Sequence, residues 1–234
     1  MREMPFTSVD WQSVNLVGFD VDGTLYSQRR LRLAMLQEMA GEVLRSRSIR
    51  FVQFLKSYRH LRELAGSAFA DNFEQGIVAR TAAANRCSEE RVREVVLEWI
   101  HERPLKHLPA CRYAGVSALF AGLKASGKSI GIFSDYPAKA KLAALELKAD
   151  HIVCAGDEGV PRLKPDPGGL KKLITDAGAL PTTLFIGDRI ERDGEAARAV
   201  GVRVLIRSTK MHDGWQTFRA FDDALFLPVL CGAR

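Results

Sequence analysis

Long hydrophobic runs are missing from this 234-residue chain, and no stretch approaches the roughly 20 apolar residues of a membrane-spanning helix. The last apolar run, Ala224 to Leu230, is short and is broken by Pro228. Met1 to Val9 carries two charges and a proline but no apolar core, so no signal peptide is read there. Cysteine is scarce as well. Cys87, Cys111, Cys154 and Cys231 lie far apart with no Cys-x-x-Cys spacing, which speaks against a zinc site or a disulfide framework and for reduced thiols. Internal repeats and low-complexity tracts are also absent. The expectation is a cytoplasmic globular protein of one large or two modest domains, with no membrane partner.

Charge is the next feature. The formal net charge is +6, and between Ser27 and Lys106 fifteen Lys or Arg stand against ten Asp or Glu. Most of the excess therefore sits in one segment. Phe51, Phe54 and Tyr58 in that segment fit the apolar face of a helix better than a base-stacking platform, so nucleic acid is not expected. A positive surface that attracts a small anionic molecule is the more economical reading, and a solvated helical face is comparably compatible.

Periodicity then divides the chain. Val14 to Phe19 reads as a buried strand. From about Leu31 to Ile100 the pattern is helical: one helix ends near Ser46 to Ser48, a second starts at Ile49 with Gly66 as its stop, a third runs from about Phe69 to Ala84, and a fourth is capped by Ser88. Tyr26-Ser27-Gln28 and Arg103 to Pro109 read as the linkers flanking this insertion. After it, strands and helices alternate. Strands are expected at Ser129–Phe133, Ile152–Ala155, Thr183–Ile186 and Val202–Ile206, with helices at Tyr113–Ala125, Pro137–Leu147, from Asp166-Pro167 through Ala177, and at Glu191–Val200. Such alternation implies crossover connections and a mostly parallel sheet. The fold class is α/β: a Rossmann-like core, residues 1–26 and 107–234, interrupted by an all-helical cap, residues 27–106.

Polar residues gather at the predicted strand ends, where ligands bind in open α/β sheets. Asp20-Val21-Asp22-Gly23-Thr24-Leu25 follows the first strand; two acids so close repel unless a cation or proton is shared. Ser134-Asp135 follows the second strand, Lys164 sits before a proline turn and a helix, and Asp188 and Asp193 follow the strand ending at Gly187. Taken singly, these also fit turn aspartates, a helix cap, a surface lysine and another cap. Carboxylates of this kind suit Mg²⁺, and a lysine ammonium suits a phosphate oxygen.

In order, the acid pair, serine, lysine and second acid pair resemble the four motifs of the haloacid dehalogenase-like (HAD) hydrolases, over about Leu16 to Val204. The helical insertion resembles the cap of the phosphoglycolate phosphatase-like branch. The resemblance implies a Mg²⁺-dependent phosphatase acting on a small phosphomonoester through an aspartyl-phosphate. Asp20 would be the nucleophile and Asp22 the acid and base. Ser134, Asp135 and Lys164 would hold the phosphoryl group, with Asp20, Asp188, Asp193 and the backbone carbonyl of Asp22 around the metal. Asp22 argues against a dehalogenase proper, which lacks that second acid. A phosphomutase, a phosphonatase using Lys56 or Lys106, and a non-catalytic module on the same fold remain alternatives. Arg45, Arg47, Arg50 and Arg80 are candidates for recognising a second anionic group, and the hinges are expected at Tyr26-Ser27 and Leu105-Lys106.

Overall fold

The computed structural model describes residues 9–68, 73–178 and 182–231. Strand β1 (Leu16–Phe19) is followed by four helices, α1 (Gln28–Ser46), α2 (Arg50–Ala68), α3 (Phe73–Asn85) and α4 (Glu89–Val96). The chain re-enters the core through α5 (Leu108–Cys111), α6 (Val116–Ala125), β2 (Ser129–Ser134), α7 (Lys139–Ala144) and β3 (His151–Cys154). It finishes with α8 (Gly168–Ala177), β4 (Thr183–Gly187), α9 (Glu195–Arg198), β5 (Arg203–Arg207), β6 (Gln216–Phe218) and α10 (Leu227–Cys231). Among the described residues six strands form one parallel sheet in the order β3-β2-β1-β4-β5-β6.

The apolar strands alternate between two cores, as the period of two demands. Val17, Phe19, Ile130, Ile132, Leu184 and Ile186 face the core built with α6 and α10, while Leu16, Phe133 and Phe185 face the one built with α8. On that second face α8 comes so close that a Cβ on Gly169 would fall into the Phe133 ring. Gly169→Ala should therefore overpack the contact and destabilise the protein by roughly 1–3 kcal/mol, read as a lower thermal midpoint. An unchanged midpoint would show that α8 can slide.

The helical insertion has its own cores. Met35, Phe51, Phe54, Leu55, Val95 and Trp99 form one, with the Phe51 and Trp99 rings stacked at 4.5 Å. Phe51, Phe54 and Tyr58 are all buried, in keeping with an apolar helix face. Ser88 caps α4 by accepting the Arg91 N–H at 3.2 Å.

Several element boundaries differ from the sequence expectation. Ser27 is not linker but the N-cap of α1, accepting the Arg30 N–H. Residues Arg103 to Pro109 are helical too: a 3₁₀ turn (Arg103–His107) runs directly into α5. Pro104 and Pro109 punctuate nothing there, because a proline in the first turn of a helix gives up an N–H that has no partner anyway. Helix α2 passes through Gly66 to Ala68, and the start expected for the third helix, Phe69, lies outside the described residues. The helix expected from Tyr113 starts at Val116, since the Tyr113 N–H is taken by the Leu25 carbonyl. The helix expected over Glu191–Val200 is split into a π-helical turn (Ile190–Gly194) and α9.

The C-terminal segment, for which the sequence suggested no job, closes the sheet. It supplies edge strand β6 and the Phe218, Phe221 and Phe226 cluster. The Trp11 indole N–H donates to the Leu225 carbonyl at 2.7 Å, tying the two ends together.

Candidate active site

Strand β1 lies at the centre of the sheet, paired to β2 on one side and β4 on the other. Its next residue is Asp20, whose backbone N–H donates to the Ile186 carbonyl of β4 at 2.9 Å. The end of β4 presents Asp188 beside it. The π-helical turn then folds Asp193 back over the strand end, where its Oδ2 accepts the N–H groups of Asp188 (3.1 Å) and Arg189 (3.0 Å). An extra residue in the helical turn is what re-aims this carboxylate, a common use of π-turns at functional sites. Gly23, at φ +106°, completes the turn, since a Cβ there would fall onto the Asp188 carboxyl group.

Lys164 enters from the loop before α8. Its backbone N–H donates to Asp135 Oδ1 at 2.8 Å, which fixes the loop to the end of β2. Its ammonium, 98% hidden from solvent, donates to the Asp20 carboxylate, to Asp193 Oδ1 at 2.7 Å and to the Phe133 carbonyl at 3.3 Å. Carboxylate oxygens of Asp20, Asp188 and Asp193 all lie within 4.8 Å of one another.

Three acids around one ammonium leave an excess of negative charge in a desolvated place. Burial pushes the Asp20 carboxyl well above its usual range; Lys164 pulls it back, and Asp193, Asp188 and Asp22 push it up again. Asp188 is pushed up to about 7, first by burial and next by the charge of Asp193. Lys164 is held above the usual lysine range, its burial outweighed by Asp193 and Asp20. A hard divalent cation would relieve this excess, and an all-oxygen donor set with few carboxylates suits Mg²⁺. The residues fit the ion.

Asp22 faces elsewhere. Both of its carboxylate oxygens accept from Lys141 Nζ at 2.6 Å, and the Tyr26 hydroxyl donates to it as well. Burial alone would raise its pKa, but Lys141 and Tyr26 outweigh burial and hold it below the usual carboxylate range. The Asp22 backbone carbonyl, expected at the metal, accepts the Gln28 side-chain amide at 2.6 Å. Ser134 is fully buried; its hydroxyl accepts the Tyr136 N–H at 3.2 Å and does not line the cavity. Asp135 does line it, with Oδ2 accepting from Arg192 at 3.3 Å.

The insertion closes over this edge through residues that the sequence reading passed over. Arg62 of α2, 5% exposed, donates to the Asp135 carbonyl and to Glu74, and its guanidinium lies 4.1 Å from the Tyr136 ring centroid. Arg192 of the core donates to the Glu63 carbonyl of α2 at 3.3 Å and to the Glu63 carboxylate at 3.4 Å. Arg45, Arg47, Arg50 and Arg80 do not line the cavity; Arg32 and Arg59 are the insertion's arginines that do. Lys141, too, carried no signal, since it meets Asp22 across 119 positions of sequence. Tyr26 could have been found: it lies four residues after Asp22 in a tight turn.

A model of the haloacid dehalogenase-like hydrolases matches residues 14–201. The chain belongs to this family. The matched HAD-like hydrolase residues include Asp20, Asp188 and Asp193. A phosphoglycolate phosphatase of Rhodospirillum rubrum is 27% identical over 195 residues, 81% of this chain and 78% of that protein. The fold resembles that of a 2-haloacid dehalogenase from Pseudomonas syringae, with a TM-score of 0.64 and 15% identity over 93% of this chain and 98% of the other. A HAD phosphatase from Thermococcus onnurineus has a TM-score of 0.61 and 18% identity, covering 94% and 99%. Among the described residues no helix is long and apolar enough to cross a membrane.

Proposed function

We propose that the protein is a Mg²⁺-dependent phosphatase for a small phosphomonoester, working through an aspartyl-phosphate on Asp20. The observation that carries this reading is the buried Asp20 carboxylate held by Lys164 within reach of Asp188 and Asp193. Membership of the hydrolase family and the likeness to a phosphoglycolate phosphatase support it.

An Asp20 oxygen attacks phosphorus, and the bond from phosphorus to the ester oxygen breaks. The leaving alcohol takes a proton from Asp22. In the second step Asp22 takes a proton from water, whose oxygen attacks the same phosphorus. Phosphate leaves and the Asp20 carboxylate is restored. Asp20, Asp188 and Asp193 would hold Mg²⁺, which would supply the positive charge that lets an anion approach an anionic phosphate. The Asp22 carbonyl would join that set only if it gave up the Gln28 side-chain amide. Lys164 offsets charge on the transferring group and Asp135 lines the phosphate cradle, whereas Ser134, buried behind the wall, would join it only if its hydroxyl turned from the Tyr136 N–H. In the arrangement described, Lys141 keeps Asp22 ionised, which suits the base step. The acid step needs its proton, so substrate entry has to loosen that contact.

The core in this reading is residues 1–26 and 107–234, and residues 27–106 are a cap that shields the phosphoenzyme from bulk solvent while leaving the one attacking water. Four free cysteines support a cytoplasmic location.

Incubating the protein with p-nitrophenyl phosphate and a panel of phosphomonoesters tests the reading. Phosphate release should need Mg²⁺, falling at least about a hundredfold in EDTA and returning when the ion is restored. Turnover undiminished by chelation would remove the metal from the mechanism. A rearranged sugar phosphate in place of free phosphate would make the protein a mutase.

A further inference from the structure

The cavity above the acid cluster has a volume of about 460 Å³, inside the ~300–1,000 Å³ range of pockets that enclose drug-sized ligands. A phosphoryl group and a metal ion fill only a fraction of that. The wall decides what fills the rest. Leu31, Met35 and Met39 stand one helical turn apart on α1, and Ile100, Leu105 and Leu108 complete the apolar surface. Leu36, 58% exposed, adds to the same lining.

The cavity's buried and half-buried cations are committed to other partners. Lys164 and Lys141 hold Asp20, Asp193 and Asp22. Arg192 is shared between Asp135 and Glu63, and Arg189 between Glu63 and Glu191. Of the insertion's two cavity arginines, both exposed, Arg32 donates to Gln28 Oε1 at 2.8 Å. A two-carbon acidic leaving group would meet an apolar wall with no buried cation to spare, and would leave most of the cavity unfilled.

We propose that the leaving group taken by this site is an apolar alcohol. The substrate is then a phosphomonoester whose ester oxygen carries a hydrocarbon or aryl body seated against the α1 stripe. This inference rests on the phosphatase reading for its chemistry, but the selectivity it describes is a property of the cavity wall. Each methylene moved from water onto such a wall is worth about fourfold in affinity.

Two measurements on the intact protein keep the inference separate from the phosphatase reading. The first is kcat/KM with Mg²⁺ for methyl, butyl and hexyl phosphate and for phosphoglycolate. The second is calorimetric binding of methyl-, butyl- and hexylphosphonate and of phosphonoacetate, which need no turnover. Both series should climb two- to fourfold per methylene, with the hexyl compound at least about tenfold above the acidic two-carbon one. Leu36→Asp and Met39→Ala should each flatten the climb. Chain-length dependence in binding without any phosphate release would support the apolar site and overturn the hydrolytic reading. A flat series in both measurements, or a preference for the acidic compounds, would overturn the inference.

Discussion

Asp20→Asn should abolish phosphate release, by roughly 10⁴-fold or more, in a protein that stays folded. An amide of the same size fits the space but cannot form the phosphoenzyme. Burial, Asp193 and Asp188 all work against a charge on Asp20, with Lys164 opposing them, so the substitution removes a carboxyl group from a crowded place. Lys164 keeps its other partner, Asp193. The metal-free variant should therefore melt no lower than the metal-free native protein, and the rise in its midpoint with millimolar Mg²⁺ should shrink. The paired measurements matter because a misfolded variant would also be inactive. Hydrolysis at the native rate would take the nucleophile away from Asp20.

Lys164→Met should damage both stability and rate. The ammonium is the cation shared by Asp20 and Asp193, and the side chains of all three are at most 8% exposed. Removing one partner of a buried ion pair leaves uncompensated charge, typically a loss of about 3–5 kcal/mol. For a chain of this size that lowers the midpoint by roughly 10 °C. Phosphate release should fall by about 10²–10³, as for loss of one donor to a transferring anion. Mg²⁺ should recover part of the stability, since it enters the same excess of negative charge, but not the rate. A midpoint equal to that of the native protein without metal would mean that Lys164 does not hold Asp20 and Asp193 together.

The parts of this site that strand ends determine were legible in the sequence. Buried β-branched runs identify β1 and β4, and Asp20 and Asp188 follow each run directly. Asp193 was legible as a residue but not as a geometry. Its aim depends on a π-turn, which shares its residues with an ordinary helix start. Lys141 and Arg62 were invisible for a different reason. Each meets its partner through packing of whole elements, Lys141 from α7 onto Asp22 and Arg62 from α2 onto the loop after β2. No local period records such meetings. Strand β6 was missed because three residues, Gln216 to Phe218, contain no alternation to read, and edge pairing with β5 rather than propensity makes them a strand. The prolines at 104 and 109 misled in the opposite direction, since proline signals a break and a first helical turn equally well.

The position of β1, early in the chain yet central in the sheet, has a consequence for how the protein is made. Asp20 leaves the ribosome 144 residues before Lys164. At a typical rate of synthesis that is a wait on the order of ten seconds. During it Asp20 and Asp22 are ordinary solvated carboxylates, and the helices that follow can assemble through contacts close in sequence. Only when β4 arrives is β1 bracketed on both sides and Asp20 brought beside Asp188 and Asp193. A nascent chain thus carries Asp20 almost from the start but completes the cluster of Asp20, Lys164, Asp188 and Asp193 only near the end.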